Sequence, residues 1–321
     1  MQVLITGAEQ GADGKGVLAL AIIMDLETGE TVHRTEFMLP EALRTPEHKV
    51  QFTGNAFIDG KWFVCTHNEV LIFDTWPPRK PVDRITIPGF NDLHHCMEWR
   101  GNLAVSNTGL ETVDVVSFSG ELLERYDLLR DEPDARNIES SVDYRLIADT
   151  KPHLRHGNHL FEHDGELWTG QLKTFDAACA SDLSKRLSIE VGMPHDGVWL
   201  NGRLFFTTTN GHLVAFDPAR GMSREVYNLL EMTEGLNQLG WCRGVCSIPG
   251  DTDRVIVMFS RLRRSKWKDF GYWIKYGHNI PTSNISMYNL AERKCDRRWA
   301  VGEGEGYQVF QVDVLPSEKC V

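Results

Sequence analysis

The feature that most restricts the fold of this chain is a repeat of about forty residues built from short apolar strands. "NAFIDGKWFVCTHNEVLIFD" at 55–74 shows its core: an apolar strand, a turn that ends in glycine, a second strand, and a third that ends near an aspartate. A fourth strand such as "VDRITIP" at 82–88 closes the copy. The other copies lie at 96–118, 160–182, 198–217 and, in a looser form, 245–260. Four strands at this period predict the blades of a β-propeller.

The two ends of the chain supply one more blade. "YQVFQVDVL" at 307–315 predicts a single first strand, and residues 2–37 predict strands two, three and four. Pairing these segments closes the ring and removes the open sheet edge that would favour aggregation. We therefore expect an all-β fold, a six-bladed β-propeller with four-stranded blades. Residues 1–321 form its single domain, and its last blade is closed by the N- and C-terminal strands.

Charge and hydropathy argue against several classes of protein. The formal net charge of −11 disfavours broad binding to nucleic acid or to an anionic membrane. The longest apolar stretch, Val17–Met24, is too short to span a bilayer as a helix, and Met1 opens no signal-peptide pattern. We expect a cytoplasmic protein in which the seven cysteines are reduced thiols.

The turn glycines of the blades bring equivalent positions into columns. With the copies aligned on Gly60, Gly101, Gly165 and Gly202, one column contains Thr53, His94, Asn158 and His195. The next column contains Gly54, His95, His159 and Asp196. Matching "CRGVC" to "HDGVW" adds Cys242 and Arg243, and the terminal strand adds Tyr307 and Gln308 within about one residue of register. The first strand of each blade lies next to the central channel, so these residues should converge at the axis.

The histidines in these columns predict a metal site. Imidazole suits Fe, Mn, Zn and Cu, and carboxylate or amide oxygen can complete the shell. We expect a divalent transition metal held by His95, His159, His195 and Asn158. Neighbouring side chains on a strand point to opposite faces, so only one of His94 and His95 should be a direct ligand. We assign acid–base roles to Asp196, His94 and His156.

A basic insertion is predicted beside the axial site. Residues 261–283 join the second and third strands of the fifth blade, and they should emerge on the same face as the insertion at 129–155. The segment could be a lid over a small anionic substrate, a docking patch for an acidic protein or membrane, or a solvated loop. The expected substrate-binding residues are Arg243, Arg261, Arg263, Arg264, Lys266, His67, Gln308, Cys242 and Tyr307.

One blade also carries a resemblance to known proteins. "MPHDGVWLNGRLFFTTTNGHLVAFDP" at 193–218 resembles a blade of the gluconolactonase/senescence-marker-protein and NHL-type six-bladed propellers. The resemblance implies an axial divalent cation held by Asp, Asn and Glu, and Asp196 and Asn158 match two of these positions. No glutamate at the start of the first blade matches the remaining ligand. Histidines crowd the ring instead, which shifts the expected metal from Ca to Fe, Mn, Zn or Cu.

Three functions remain open at this point. The preferred one is a metal-dependent, redox-neutral hydrolase or lyase acting on a small anionic substrate, because Asp196 and Asn158 match a family of that kind. An Fe or Cu oxygenase with a three-histidine centre is the second. The third is a non-catalytic propeller that serves as an interaction scaffold and whose axial histidines are structural.

Overall fold

The structure, a computed structural model, describes residues 1–11, 16–39, 49–132, 138–262, 281–302 and 306–321. Six antiparallel sheets of four strands each form a β-propeller. The predicted all-β fold and the predicted number of blades are confirmed. Within the described ranges, no helix is long and apolar enough to cross a membrane.

The first three blades follow the chain in order. Blade one comprises β4 (Asn55–Ile58), β5 (Lys61–Cys65), β6 (Val70–Phe73) and β7 (Asp83–Ile85). Blade two comprises β8 (Leu93–Trp99), β9 (Asn102–Asn107), β10 (Thr112–Val116) and β11 (Leu122–Asp127). Blade three comprises β12 (Gly157–His163), β13 (Glu166–Gln171), β14 (Asp176–Cys179) and β15 (Arg186–Ser188).

The remaining blades complete the ring. Blade four comprises β16 (Val198–Leu200), β17 (Arg203–Thr207), β18 (His212–Asp217) and β19 (Ser223–Asn228). Blade five comprises β20 (Trp241–Ile248), β21 (Asp251–Ser260), β22 (Asn284–Asn289) and β23 (Lys294–Ala300). Blade six combines β24 (Tyr307–Val314) from the C-terminus with β1 (Gln2–Gln10), β2 (Gly16–Asp25) and β3 (Thr31–Phe37). Its strand order is β24-β1-β2-β3, so both ends of the chain close the propeller as predicted.

The turn glycines work as alignment points because they occupy the same tight hairpin in each copy. The two residues of the turn between β4 and β5, Asp59 and Gly60, have φ of 47° and 76°. Positive φ at both positions is typical of the type I′ turn, whose twist matches that of the flanking strands. This turn fixes the register of the first two strands, so residues at equal distances before the glycine occupy equivalent places.

Apolar clusters between neighbouring blades form the core, and bulges shape the strand ends near the axis. The cluster between blades four and five contains Phe205, Val257 and Tyr288, all nearly inaccessible to solvent. The register shifts between Leu93 and His95 in blade two. It also shifts between Gly157 and Leu160 in blade three. Such bulges redirect side chains locally, and here they lie where the innermost strands begin.

Candidate functional site

A cavity opens where the innermost strands begin. The residues that line it are Thr53, Gly54, His94, Asn158, His159, His195, Asp196, Phe310 and Gln311. Seven of these nine belong to the two columns obtained from the turn glycines. The repeat therefore located the cavity, whereas the roles assigned to its residues stay predictions.

His195 and Asp196 form a hydrogen-bonded pair in the cavity wall. His195 Nδ1 lies 3.2 Å from Asp196 Oδ1, and the Thr207 hydroxyl donates to the other carboxylate oxygen. Burial lowers the pKa of His195 to about 4, against the favourable hydrogen bond to Asp196, and the nearby Arg243 charge lowers it further. Burial opposes ionisation of Asp196, but the hydrogen bonds from His195 and Thr207, together with the neighbouring histidines, lower the pKa of the carboxyl. The pair is therefore a neutral imidazole that donates from Nδ1 and keeps a lone pair on Nε2.

His94 has oxygen acceptors on both sides of its ring. Its Nδ1 lies 2.7 Å from Asn158 Oδ1, and its Nε2 lies 3.8 Å from Asp92 Oδ1. The Asn158 oxygen can only accept, so His94 donates to it from Nδ1, whereas Asp92 Oδ1 lies beyond hydrogen-bonding distance of Nε2. The cavity thus contains one imidazole near the Arg243 cation and another near the Asp92 carboxylate.

Asp92 is a buried carboxylate that the sequence analysis did not single out. The Lys49 ammonium lies 3.2 Å from Asp92 Oδ1, and His67 Nδ1 lies 3.7 Å from the same oxygen. Burial opposes ionisation, but the Lys49 charge and the nearby His67 and His94 imidazoles hold the pKa of Asp92 well below its usual range. His67, predicted to bind substrate, belongs to this buried network and is 1% exposed. The position of Asp92, two residues before His94, was the signal available in the sequence.

His95 and His159 stack on each other rather than converging on one point. Their ring centroids are 3.7 Å apart, with an interplanar angle of 28°. Burial and the neighbouring His159 lower the pKa of His95 well below its usual value. The Leu160 backbone N–H donates to His95 Nδ1 at 3.2 Å, which leaves the proton of the neutral ring on Nε2. That nitrogen would donate a hydrogen bond rather than bind a metal, so this geometry disfavours the ligand role predicted for His95.

His156 lies behind His94 and is joined to His153. The Nδ1 atoms of His153 and His156 are 2.8 Å apart. The ring of His156 meets that of His94 edge to face at 5.0 Å between centroids. Burial lowers the pKa of His156 well below its usual value, and the nearby His94 and His153 lower it further. No site role was predicted for His153, although it is one of four histidines between residues 151 and 168.

The contribution of the terminal strand differs from the prediction. Phe310 and Gln311 line the cavity, three residues beyond the predicted pair. The Gln308 side chain instead accepts a hydrogen bond from Gln10 at 2.9 Å, and the Tyr307 hydroxyl contacts Arg34. The pairing of β1 with β24 shifts register between Thr6 and Gly7, and the substrate roles of Tyr307 and Gln308 stay predictions.

Cys242 and Arg243 also lie away from the cavity lining. The Cys242 thiol is inaccessible to solvent in the apolar cluster between blades four and five, and its contact with substrate stays a prediction. Arg243 is buried with its guanidinium over the rings of Trp241 and Phe310, at 4.9 and 4.4 Å from their centroids. Its positive charge therefore lies behind the cavity wall that Phe310 forms.

The two insertions are only partly described. The backbone N–H of Arg261 donates to Ser283 Oγ at 3.0 Å, whereas Arg263, Arg264 and Lys266 lie outside the described residues. The lid, docking and solvated-loop interpretations of 261–283 therefore stay predictions. In the other insertion, Arg145 forms an ion pair of 2.7 Å with Asp143.

The donor atoms of the cavity do not fit the cation site that the resemblance implies. Among the residues that the structure describes, no three His, Cys, Asp or Glu side chains come together in a group that could hold a metal ion. Both oxygens of Asp196 accept hydrogen bonds from neighbours, and Asn158 Oδ1 faces His94. The predicted metal and its ligands therefore remain predictions.

Comparison with known proteins places the fold but not the activity. No known protein family and no curated protein matches the sequence. A nidogen/laminin complex structure is similar over 97% of both chains, with 11% identity and a TM-score of 0.55. Virginiamycin B lyase from Staphylococcus aureus is similar over 95% of this chain and 89% of its own, with 11% identity and a TM-score of 0.54. A streptogramin B lyase structure is similar over 94% of this chain and 84% of its own, with 9% identity and a TM-score of 0.52.

Proposed function

We propose that this protein is a redox-neutral lyase or hydrolase that acts on a small anionic molecule in the axial cavity. The observation that supports this most is the pairing of His195 and His94 in one cavity with opposite environments. General acid–base catalysis uses two such groups in one site, one to accept a proton and the other to donate one. The likeness in fold to two lyases is compatible with this class of reaction.

His195 serves as the base in this proposal. Its Nε2 lone pair accepts a proton from a substrate carbon in an elimination, or from water in a hydrolysis. Asp196 accepts the Nδ1 hydrogen bond and stabilises the imidazolium that forms. Because burial and Arg243 keep the pKa of His195 at about 4, the base is neutral at physiological pH before it reacts.

His94 serves as the acid. It donates a proton to the oxygen of the leaving group as the bond to that oxygen breaks, so no negative charge develops on the leaving group. Asn158 accepts a hydrogen bond from Nδ1 of His94 and sets the orientation of the ring, and the Asp92 carboxylate lies 3.8 Å from Nε2. Exchange with solvent returns a proton to His94 and removes one from His195, so the cycle consumes no oxidant or reductant.

The anionic character of the substrate rests on cations in and behind the walls. The buried Arg243 guanidinium stacks on Phe310, which lines the cavity, and the Lys49 ammonium lies 3.2 Å from Asp92 Oδ1, close to His94. A positive potential inside a low-dielectric wall attracts an anion more strongly than the same charge in water. The predicted metal is not part of these steps.

The test is incubation of the purified protein with a small-molecule cell extract, followed by mass spectrometry. A lyase splits one compound into two whose masses sum to that of the substrate, a hydrolase adds the mass of water, and an oxygenase adds oxygen. We expect the wild-type protein to act in one of the first two ways and His195→Gln to be at least about a hundredfold slower. His163→Gln, in the turn at the other end of β12, is the matched control.

Two outcomes would overturn the proposal. Addition of oxygen to a compound would support the oxygenase instead. Full turnover by His195→Gln would remove His195 as the base, and a wild-type protein that changes no compound would support the interaction scaffold.

A further inference from the structure

The loop that carries His153 and His156 is held by a carboxylate from the neighbouring blade. Glu111 lies in the turn between β9 and β10 and is 1% exposed. Its Oε1 accepts hydrogen bonds from the backbone N–H groups of Arg155 and His156 at 2.5 and 2.8 Å, and its Oε2 accepts one from Leu154 at 3.0 Å. Three successive main-chain donors on one buried carboxylate make a strong, charge-assisted anchor.

The end of β9 and the turn after it also hold the next residue of the loop. The hydroxyls of Ser106 and Thr108 both donate to the carbonyl oxygen of Gly157, Ser106 at 3.0 Å. The segment from Leu154 to Gly157, the first residue of β12, is therefore bound to blade two at four consecutive residues. Blade two thus determines where blade three starts its innermost strand.

The anchored backbone has an unusual conformation at His156. Its φ is 55°, in the left-handed region, which a non-glycine residue keeps only where its surroundings enforce it. The bond from His156 N–H to Glu111 lies at this residue, so the carboxylate supplies part of that enforcement. The conformation turns the His156 ring toward His153 on one side and His94 on the other.

We propose that Glu111 is a positioning residue of the candidate site, which acts by fixing His156 and His153 against the back of His94. The assignment rests on the proposed function, because it gives His94 the role of the acid. Glu111 contacts backbone rather than the cavity, so it influences the reaction only through the placement of these rings. A shift of His94 by a fraction of an ångström is enough to slow proton transfer.

Histidine side-chain NMR on protein labelled with nitrogen-15 histidine tests the placement without any substrate. In the wild-type protein we expect a coupling across the hydrogen bond between the Nδ1 atoms of His153 and His156. Glu111→Gln should lose this coupling and shift the ring signals of His94, because an amide cannot accept from all three backbone donors. Glu98→Gln is the matched control, since Glu98 also accepts a backbone N–H bond, from Gly101 at 2.7 Å, but at the exposed hairpin turn.

Kinetics with the compound found in the extract then separate a positioning role from a structural one. Glu111→Gln should lower kcat on the order of tenfold to a hundredfold with little change in KM, whereas Glu98→Gln should change neither. Unchanged ring signals and unchanged kcat in a folded Glu111→Gln protein would overturn the proposal. Should that variant not fold, the wild-type spectrum still decides, because absence of the His153–His156 coupling contradicts the arrangement. Loss of turnover in His195→Gln with normal turnover in Glu111→Gln would reject this inference alone, and normal turnover in His195→Gln would reject the proposed function.

Discussion

Acid should destabilise this protein through imidazoles that it buries in the neutral form. Burial and the Arg243 charge lower the pKa of His195 to about 4 in the folded protein, whereas an unfolded histidine has a pKa of about 6.5. Below the pKa of the histidine in the unfolded chain, that histidine is protonated in the unfolded chain but stays neutral in the folded one. The free energy of unfolding therefore falls as the pH decreases. The stabilisation is complete above about pH 6.5 and is lost as the pH drops towards 4.

The size of this effect follows from the difference between the two pKa values. A difference of about 2.5 pH units corresponds to about 3 kcal/mol for His195 alone. Burial lowers the pKa of His159 to about 4 as well, and it lowers those of His95 and His156 in the same direction. Since domains are stable by only about 5–15 kcal/mol, several buried histidines can account for most of the stability lost in this range.

Denaturant unfolding at a series of pH values from about 7.5 to 4.5 measures this dependence for wild type and His195→Gln. The glutamine amide can donate to Asp196 as the imidazole does, so the variant removes the proton-binding group with little loss of hydrogen bonding. Its free energy of unfolding should fall by about 2–3 kcal/mol less than that of wild type over this range. His163→Gln, measured in parallel, is the control for the effect of replacing a histidine outside the cavity with glutamine. Equal losses in wild type and His195→Gln would refute the reasoning, because His195 would then bind its proton equally well in both states.

Two further predictions concern the charge and the metal. Arg243→Met should raise the pKa of His195 and move the acid limb of turnover to higher pH, because it removes a positive charge near the ring but keeps the packing on Phe310. Arg203→Met, which removes a guanidinium over Phe205, is the control, and an unmoved limb would contradict the electrostatic argument. Treatment with a chelator should leave turnover unchanged, because the proposed steps use imidazole and carboxylate groups alone. The metal-dependent reaction predicted from the sequence would be supported if the chelator abolished turnover and one added metal restored it. Elemental analysis should then find that metal in wild type but not in His95→Ala/His195→Ala.

The scaffold of the site was predictable because its signals are local. The period of about forty residues identified the blades, and the glycine of each tight hairpin fixed the register of the first two strands. Counting back from those glycines placed His94, Asn158 and His195 at one cavity although they lie in three different blades. A hairpin turn determines the register of its own strands whatever the rest of the molecule does, so this inference needed no tertiary information.

The contacts of each side chain were not predictable in the same way. Cys242 occupies a column position but faces the core between blades, and the innermost strand of blade six presents Gln311 instead of Gln308. Bulges cause such changes, and a bulge depends on how one blade packs against the next. Similarly, Asp92 and Glu111 became important only through contacts with residues of other blades or loops.

The sequence by itself determined that six four-stranded blades close around an axis, and which residues begin their innermost strands. Strand alternation and hairpin geometry repeat in every copy, so the pattern is readable along the chain. Only the tertiary structure decided that His195 bonds to Asp196, that His94 lies between Asn158 and Asp92, and that His95 stacks on His159. The proton affinity of an imidazole depends on burial and on the atoms that face each nitrogen, and those neighbours come from distant parts of the chain.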